Sequence, residues 1–351
     1  MLTKEQISEI RERLEESQNP LFLFDNDTDG LCSFLLLRRH INRGKGFPVK
    51  SFPELNSTYS RKLDELNPDV LFILDKALVS PEFLEMVKQK NVPVVWIDHH
   101  DVPVPSLANT DGIDYYNPLR NEKHPSSEPT TYWAWQVTKN KNDMWLAMVG
   151  CLADAYLPDF SEELSYQYPD YWRMVENASE GRYKTQIGKI GMIFSFGLKD
   201  RTSNVISSIK FLSNVKSPAD VFQESQHNTV LSRYSFISRK YQQLIAKALS
   251  TPVEDDILYF QYGGDMSMSA DISDELFHHF PNKTILVVYI MGAKANISIR
   301  SKRDILRPAT EAIKEIAGAT GGGHRNAVGS SMPAEDVLRF KKLFTENLNN
   351  K

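Results

Sequence analysis

Leu21-Phe22-Leu23-Phe24-Asp25-Asn26-Asp27-Thr28-Asp29-Gly30 is the stretch on which the reading of the fold turns. Four apolar residues run without interruption into an acidic loop. The pattern returns twice: Val70–Leu74 (VLFIL) runs into Asp75, and Val92–Ile97 (VPVVWI) runs into Asp98-His99-His100-Asp101. Short runs that are apolar throughout, rather than alternating, suit strands buried on both faces. Between them lie helix-like segments at 31–42 (LCSFLLLRRHIN) and 81–90 (PEFLEMVKQK), the second opened by Ser80 and Pro81. The expectation is an α/β fold with an N-terminal, doubly wound parallel sheet. In an open parallel sheet the carboxyl ends of the strands line the ligand crevice, so the acids would gather at one edge.

Further along, residues 128–150 read as helix around Trp133, Trp135 and Trp145, after a proline-rich loop at 117–130. A long polar helix is expected at about 229–249. A second α/β pattern follows, with strand-like ILYFQY, TILVVYI and ANISIRS and helix-like DISDELFHHF and ATEAIKEIA. We expect a metal-binding catalytic domain over 1–180, a helical connector over 181–250 and a smaller α/β substrate-binding domain over 251–351. No internal repeat or low-complexity tract is visible.

The chain has 351 residues, 41% hydrophobic and 25% charged, as in ordinary globular proteins. The longest apolar stretch, near Ile285–Gly292, is far short of the roughly 20 residues that span a bilayer. The N-terminus, MLTKEQISEIRERLEE, reads as a charged amphipathic helix with a Thr3/Gln6 capping box rather than a signal peptide. Two cysteines, Cys32 and Cys151, exclude a disulfide framework and a four-thiolate site and read as reduced and buried. The expected location is the cytoplasm, with no membrane partner. Net charge is −4, but residues 281–351 carry 12 Lys+Arg against 6 Asp+Glu, a local +6 that suits a phosphate-facing surface.

Several carboxylates within a few ångströms repel one another and resist desolvation, and bound cations remove both costs. Carboxylate and imidazole donors without thiolate suit Mn²⁺, Mg²⁺, Zn²⁺ or Fe²⁺, and the oxygen majority favours Mn²⁺ or Mg²⁺. Two such ions about 3.5–4 Å apart stabilise an in-line phosphoryl displacement. A single Asp after a strand is commonly a helix cap. Three strands in series that all end in Asp, one with paired histidines, point instead to a metal site. Gly30 is expected to ease the turn from the loop into the helix. His278-His279 reads as helix surface.

These motifs resemble those of the DHH family of phosphoesterases. Asp98-His99-His100 is similar to the motif that names the family, and D-N-D-T-D-G-L-C-S at 25–33 resembles the RecJ-type form of its first motif, D-x-D-x-D-G-x-x-S. Asp75 resembles the second motif and Ala153-Asp154-Ala155 the fourth. Ser298-Ile299-Arg300-Ser301 and Gly321-Gly322-Gly323-His324 resemble the signature of the DHH-associated substrate domain. The size and two-lobe plan are similar to archaeal RecJ-like exonucleases. The resemblance implies that Asp25, Asp27, Asp29, Asp75, His99 and Asp154 ligate two Mn²⁺ or Mg²⁺ ions. It implies that His100 contacts the scissile phosphate or protonates the leaving oxygen, with Asp98 fixing a histidine tautomer. Arg300, Ser298, Gly322, Gly323 and His324 would grip the substrate. One departure stands out: RecJ-type enzymes follow the second-strand Asp with Asn-Gly, whereas Lys76-Ala77 follows Asp75 here.

Three functions are weighed. The first is a metal-dependent exonuclease on single-stranded DNA or RNA. The second is a small-substrate phosphoesterase acting on short oligonucleotides, nucleoside bisphosphates or cyclic dinucleotides. The third is a non-catalytic, RecJ-derived scaffold with a replication or repair protein as partner.

Overall fold

The computed structural model describes residues 1–351 except 52, 104–109, 111, 225–227, 255 and 350–351. It forms two compact units, Met1–Tyr234 and Ser235–Lys351. The stretch 181–250 is divided between them. The helix Gln186–Leu198 packs into the core of the first unit through Ile187, Ile190, Ile193 and Phe194, while the helix Thr229–Leu249 spans the boundary.

The first unit is built on a parallel sheet of β1 (Leu21–Asp25), β2 (Lys45–Val49), β3 (Leu71–Leu74), β4 (Val94–Ile97) and β5 (Ile113–Tyr116), in the order β2-β1-β3-β4-β5. The pairs Leu21↔Leu71 and Leu71↔Val94 bring the three central strands level, so their carboxyl ends finish together. Alternate residues of these strands feed two separate cores. Phe22, Phe24, Phe72, Leu74, Val95 and Ile97 pack with Leu31, Phe34 and Leu35 of the helix Thr28–Ile41. Leu21, Leu23, Leu71, Ile73, Val94 and Trp96 pack on the other face with Phe83, Leu84 and Val87 of the helix Pro81–Gln89. Burial on both faces is why these strands are apolar throughout, and each fully buried Phe or Leu contributes roughly 1.5–3 kcal/mol. The Thr3/Gln6 capping box is present at the helix Lys4–Glu16. The region 128–150 forms two helices, Thr130–Thr138 and Met144–Ala153, because Lys139 takes a left-handed conformation that ends the first.

The second unit holds a six-stranded mixed sheet: β6 (Val253–Glu254), β7 (Ile257–Gly263), β8 (Thr284–Met291), β9 (Lys294–Arg300), β10 (Thr320–His324) and β11 (Ala327–Pro333), ordered β10-β11-β9-β8-β7-β6. Only β7 and β8 pair in parallel. Leu286, Val288, Ile297, Ile299 and Val328 pack on the helices Leu306–Lys314 and Val337–Asn349. The helix Ser269–His279 lies against β8 and β9 and buries Ile272 and Leu276. The architecture is therefore α/β, with a doubly wound parallel sheet followed by a smaller α/β unit. Among the described residues no helix is long and apolar enough to cross a membrane. Both cysteines are free and buried.

Candidate metal centre

The acids that end β1, β3 and β4 meet at the carboxyl rim of the first sheet. Asp25 closes β1, and Asp27 caps the following helix, its Oδ1 accepting from the Gly30 amide at 2.9 Å. Gly30 is needed for closeness rather than for turning. It sits inside the helix, and a Cβ there would lie 2.6 Å from the Asp25 carbonyl oxygen. The expected easing of a turn is therefore corrected: the glycine lets the helix press onto the end of its own strand. Asp29, one turn along, is completely buried.

Two backbone amides hold Asp29. The N–H groups of Thr130 and Thr131 donate to its Oδ2 and Oδ1 at 2.9 and 2.7 Å, and Thr131 Oγ1 donates to its carbonyl oxygen at 2.9 Å. Asp29 thus sits at the amino end of the helix Thr130–Thr138, where unsatisfied amides favour a negative charge. Thr130 Oγ1 also donates to Asp75 Oδ1 at 3.4 Å. Asp75 is buried with φ +58°, an uncommon conformation for a residue other than glycine and one that Asp tolerates.

His99 stands at the centre. Its Nε2 lies 3.1 Å from Asp154 Oδ2, 3.3 Å from Asp75 Oδ1 and 3.8 Å from Asp29 Oδ2. Asp154 reaches this point as the residue that ends the helix Met144–Ala153. The Nε2 atom is buried and aligned with none of these oxygens for a hydrogen bond, nor with any other described residue. An imidazole nitrogen surrounded by carboxylates without a hydrogen bond is the arrangement a shared cation completes. Among the described residues two groups come within ligating reach: Asp29 with His99 and Asp154, and Asp75 with His99 and His100.

The neighbouring His100 is oriented by its own network. Its Nδ1 lies 2.7 Å from Oδ1 of Asp98, which is completely buried. Tyr115 Oη donates to Asp98 Oδ2 at 3.3 Å, and Asn117 Nδ2 donates to Tyr115 Oη and to the His100 carbonyl at 2.9 and 3.0 Å. Thr130, Thr131, Tyr115 and Asn117 are the functional neighbours that reading the chain did not identify. The first two act through backbone amides and hydroxyls at a helix start, and the last two from the end of β5, so none leaves a motif.

The electrostatics agree with the geometry. Burial raises the Asp29 carboxyl to about 6, with the Asp154 charge adding to the rise. Burial also lifts Asp75 well above the usual carboxylate range, and the charges of Asp29 and Asp27 push it further. Burial pulls His99 down, but Asp154 and Asp75 outweigh it and leave a net rise. Burial likewise lowers His100, and the Asp98 hydrogen bond and charge overcome it. Without a cation these carboxylates bind protons more readily than ordinary ones, and a bound metal ion would compete with those protons.

Asp25 stands apart from the cluster. Its Oδ1 is 2.8 Å from the Lys76 ammonium, and among the described residues neither it nor Asp27 belongs to the groups within ligating reach. Asp27 nevertheless borders the cluster: burial raises its carboxyl to about 7, and the charges of Asp25, Asp154 and Asp29 add to the rise. In the second unit, pairing aligns the remaining candidates. Arg300 faces Ala327, which faces His324, and Ser298 faces Gly329, which faces Gly322. Directly paired residues share a sheet face, and so do residues two apart on one strand. Ser298, Arg300 and His324 therefore lie on one face. Arg300 Nε pairs with Asp274 Oδ1 at 2.5 Å, and Ser298 Oγ bonds Ser269 Oγ at 3.0 Å. Gly323 has φ +149°, and a Cβ there would lie 2.2 Å from the Ala327 carbonyl, so no larger residue fits the strand. Lys302 and Arg303 bond Asn282 Oδ1 and the Leu348 carbonyl.

Comparison with known proteins gives the same family. The DHH family, N-terminal domain, matches residues 21–154, and the DHHA1 domain matches residues 245–350. The chain belongs to the DHH family. No curated protein matches it. The Mn²⁺ complex of RecJ from Thermus thermophilus superposes with a TM-score of 0.68 at 14% identity, over 99% of this chain and 54% of that one. The chain thus spans about half the length of that RecJ. An exonuclease RecJ bound to manganese gives 0.65 at 15% identity, over 100% and 96%. A pGpG-specific phosphodiesterase, PggH, from Vibrio cholerae gives 0.53 at 13% identity, over 95% and 100%. At such identities the likeness is one of fold.

Proposed function

We propose that this protein is a cytoplasmic exonuclease that hydrolyses phosphodiester bonds of single-stranded nucleic acid with Mn²⁺ or Mg²⁺. The observation that carries the reading is the His99 Nε2, buried among Asp29, Asp75 and Asp154 without a hydrogen bond. These four residues would hold the metal. When bound, a divalent cation neutralises the carboxylates, polarises the phosphoryl oxygens and acidifies an attacking water. Asp98 holds the His100 ring by Nδ1 and raises its affinity for a proton, which suits it to stabilise the phosphate or to protonate the leaving oxygen. Arg300 and His324 supply recognition of phosphate from the second unit, with Ser298 and the backbone at Gly322 and Gly323 beside them. The D-x-D-x-D-G form of the first motif and the +6 charge of residues 281–351 favour a nucleic-acid substrate.

A second reading, a phosphoesterase of short oligonucleotides or dinucleotides, is favoured by the fold shared with PggH over the whole of that chain. End-labelled DNA and RNA of graded length, labelled at either end and incubated with Mn²⁺ or with EDTA, tests both. Stepwise Mn²⁺-dependent loss of nucleotides from long single strands is expected. Cleavage confined to the shortest substrates would transfer the assignment to the second reading. No cleavage at any length would remove both and leave a scaffold role beside a replication or repair partner.

A further inference from the structure

We propose that the ammonium group of Lys76 takes the place of one of the two expected cations, so that the cluster holds a single divalent ion. The proposal rests on the reading above that the site binds a divalent metal.

Successive side chains of an extended strand leave opposite faces. Asp75 and Lys76 break that rule at the end of β3. The left-handed conformation of Asp75 turns the chain, and both side chains reach the acidic rim. Asp75 Oδ1 lies 3.3 Å from His99 Nε2, while Lys76 Nζ lies 2.8 Å from Asp25 Oδ1. Lys76 is only 5% exposed. Its ammonium also donates to the Ser51 carbonyl at 3.4 Å, and its own carbonyl accepts the Trp96 indole N–H at 2.9 Å. The turn is therefore anchored from two sides, and the ammonium is a built component of the rim rather than a surface charge.

The carboxylates divide accordingly. Asp29, Asp75 and Asp154 surround His99. Asp25 is engaged by Lys76, and Asp27 Oδ1 caps the helix through Gly30. Among the described residues, both groups within ligating reach contain His99 and neither contains Asp25 or Asp27. Each carboxylate of the first loop thus has one oxygen already engaged, that of Asp25 by a cation and that of Asp27 by a backbone amide. An ammonium carries a single fixed charge and three donors, enough to hold Asp25 at the rim but with no coordination position to offer. Removing Asp25 would leave the buried Lys76 ammonium without its carboxylate.

Mn²⁺ titration of the full chain, read by native mass spectrometry and electron paramagnetic resonance, tests the assignment. The wild type should saturate at one Mn²⁺ per chain with the signal of an isolated ion. Lys76→Met, which removes the charge but keeps the length, should take up a second Mn²⁺ and show the broadening of a coupled pair. Should Lys76→Met fail to fold, Lys76→Gln carries the same comparison. Two ions in the wild type would overturn the role of Lys76 and leave the metal-dependent function standing. A folded variant that still stops at one ion would also overturn it. A wild type that stays metal-free in excess Mn²⁺ would remove both the inference and the proposed function.

Discussion

The carboxyl rim of the first sheet and the β9–β11–β10 rows of the second are built on opposite principles. The first crowds buried acids, Asp29, Asp75 and Asp98, around two imidazoles. The second sets an arginine, a histidine and a serine beside a glycine strand whose five residues are all exposed. A protein interior tolerates the first arrangement only where protons or cations offset the repulsion. The second is already satisfied, because Arg300 has Asp274 and Ser298 has Ser269. Under the proposed function the incomplete rim supplies the chemistry and the open rows supply recognition.

The largest effect should come from Asp75→Asn, which keeps the shape and the left-handed turn but removes one charge next to His99. Hydrolysis should fall by about 10³-fold or more, equivalent to roughly 4 kcal/mol in the transition state. A loss of under tenfold, measured as kcat/KM, would mean that the rim is not the reacting centre. Asp98→Asn should cost less, about 10–100-fold, because Asp98 acts through the orientation and charge of His100. The alkaline limb of the kcat profile should move to lower pH with it, since His100 acts protonated and its pKa is raised by Asp98 against the pull of burial. An unchanged pH profile would make Asp98 merely structural.

Arg300→Ala sharpens the comparison from the other side. Losing one charged hydrogen-bond donor to substrate is worth about 1.5–3 kcal/mol, or about 10–150-fold in kcat/KM. The loss should fall mainly in KM, with Mn²⁺ affinity unchanged. A parallel loss of Mn²⁺ binding by calorimetry would break the separation of roles.

The smallest effect is one of stability. Asp29, Asp75, His99 and His100 all have raised pKa values, so each binds protons in the folded chain that the unfolded chain would release. Their contribution is greatest below the ordinary carboxylate range and is lost as pH rises through about 6 and above. Metal-free Asp75→Asn, which has no charge to desolvate, should therefore melt above the metal-free wild type at about pH 8, by a few degrees. The gap should close towards about pH 5. A wild type that melts higher than the variant at about pH 8 without metal would contradict the sign.

The central strands are legible because burial on both faces leaves only apolar residues in β1, β3 and β4. The edge strands are not. β2 contains Gly46 and Pro48, which argue against a strand, yet it pairs only with β1 and can spare an amide. β5 carries Asp114 in its middle because one flank has no neighbour in the sheet. In the second unit TGGGH shows no apolar pattern and forms β10, since its pairing with β11 is carried by backbone alone. The acids of the rim are visible in the chain because each lies at the end of a strand or in the first or last turn of a helix. The groups that set their roles are not: amides of Thr130 and Thr131, the Tyr115–Asn117 pair and the contact between Lys76 and Asp25 depend on segments brought together only by folding.

Crystals grown with Mn²⁺ and measured at the manganese absorption edge test the central claim most directly. The account predicts an anomalous peak within coordinating distance of His99 Nε2 and the carboxylates of Asp29, Asp75 and Asp154. A map with no peak there, or with manganese bound only at other sites, would contradict it.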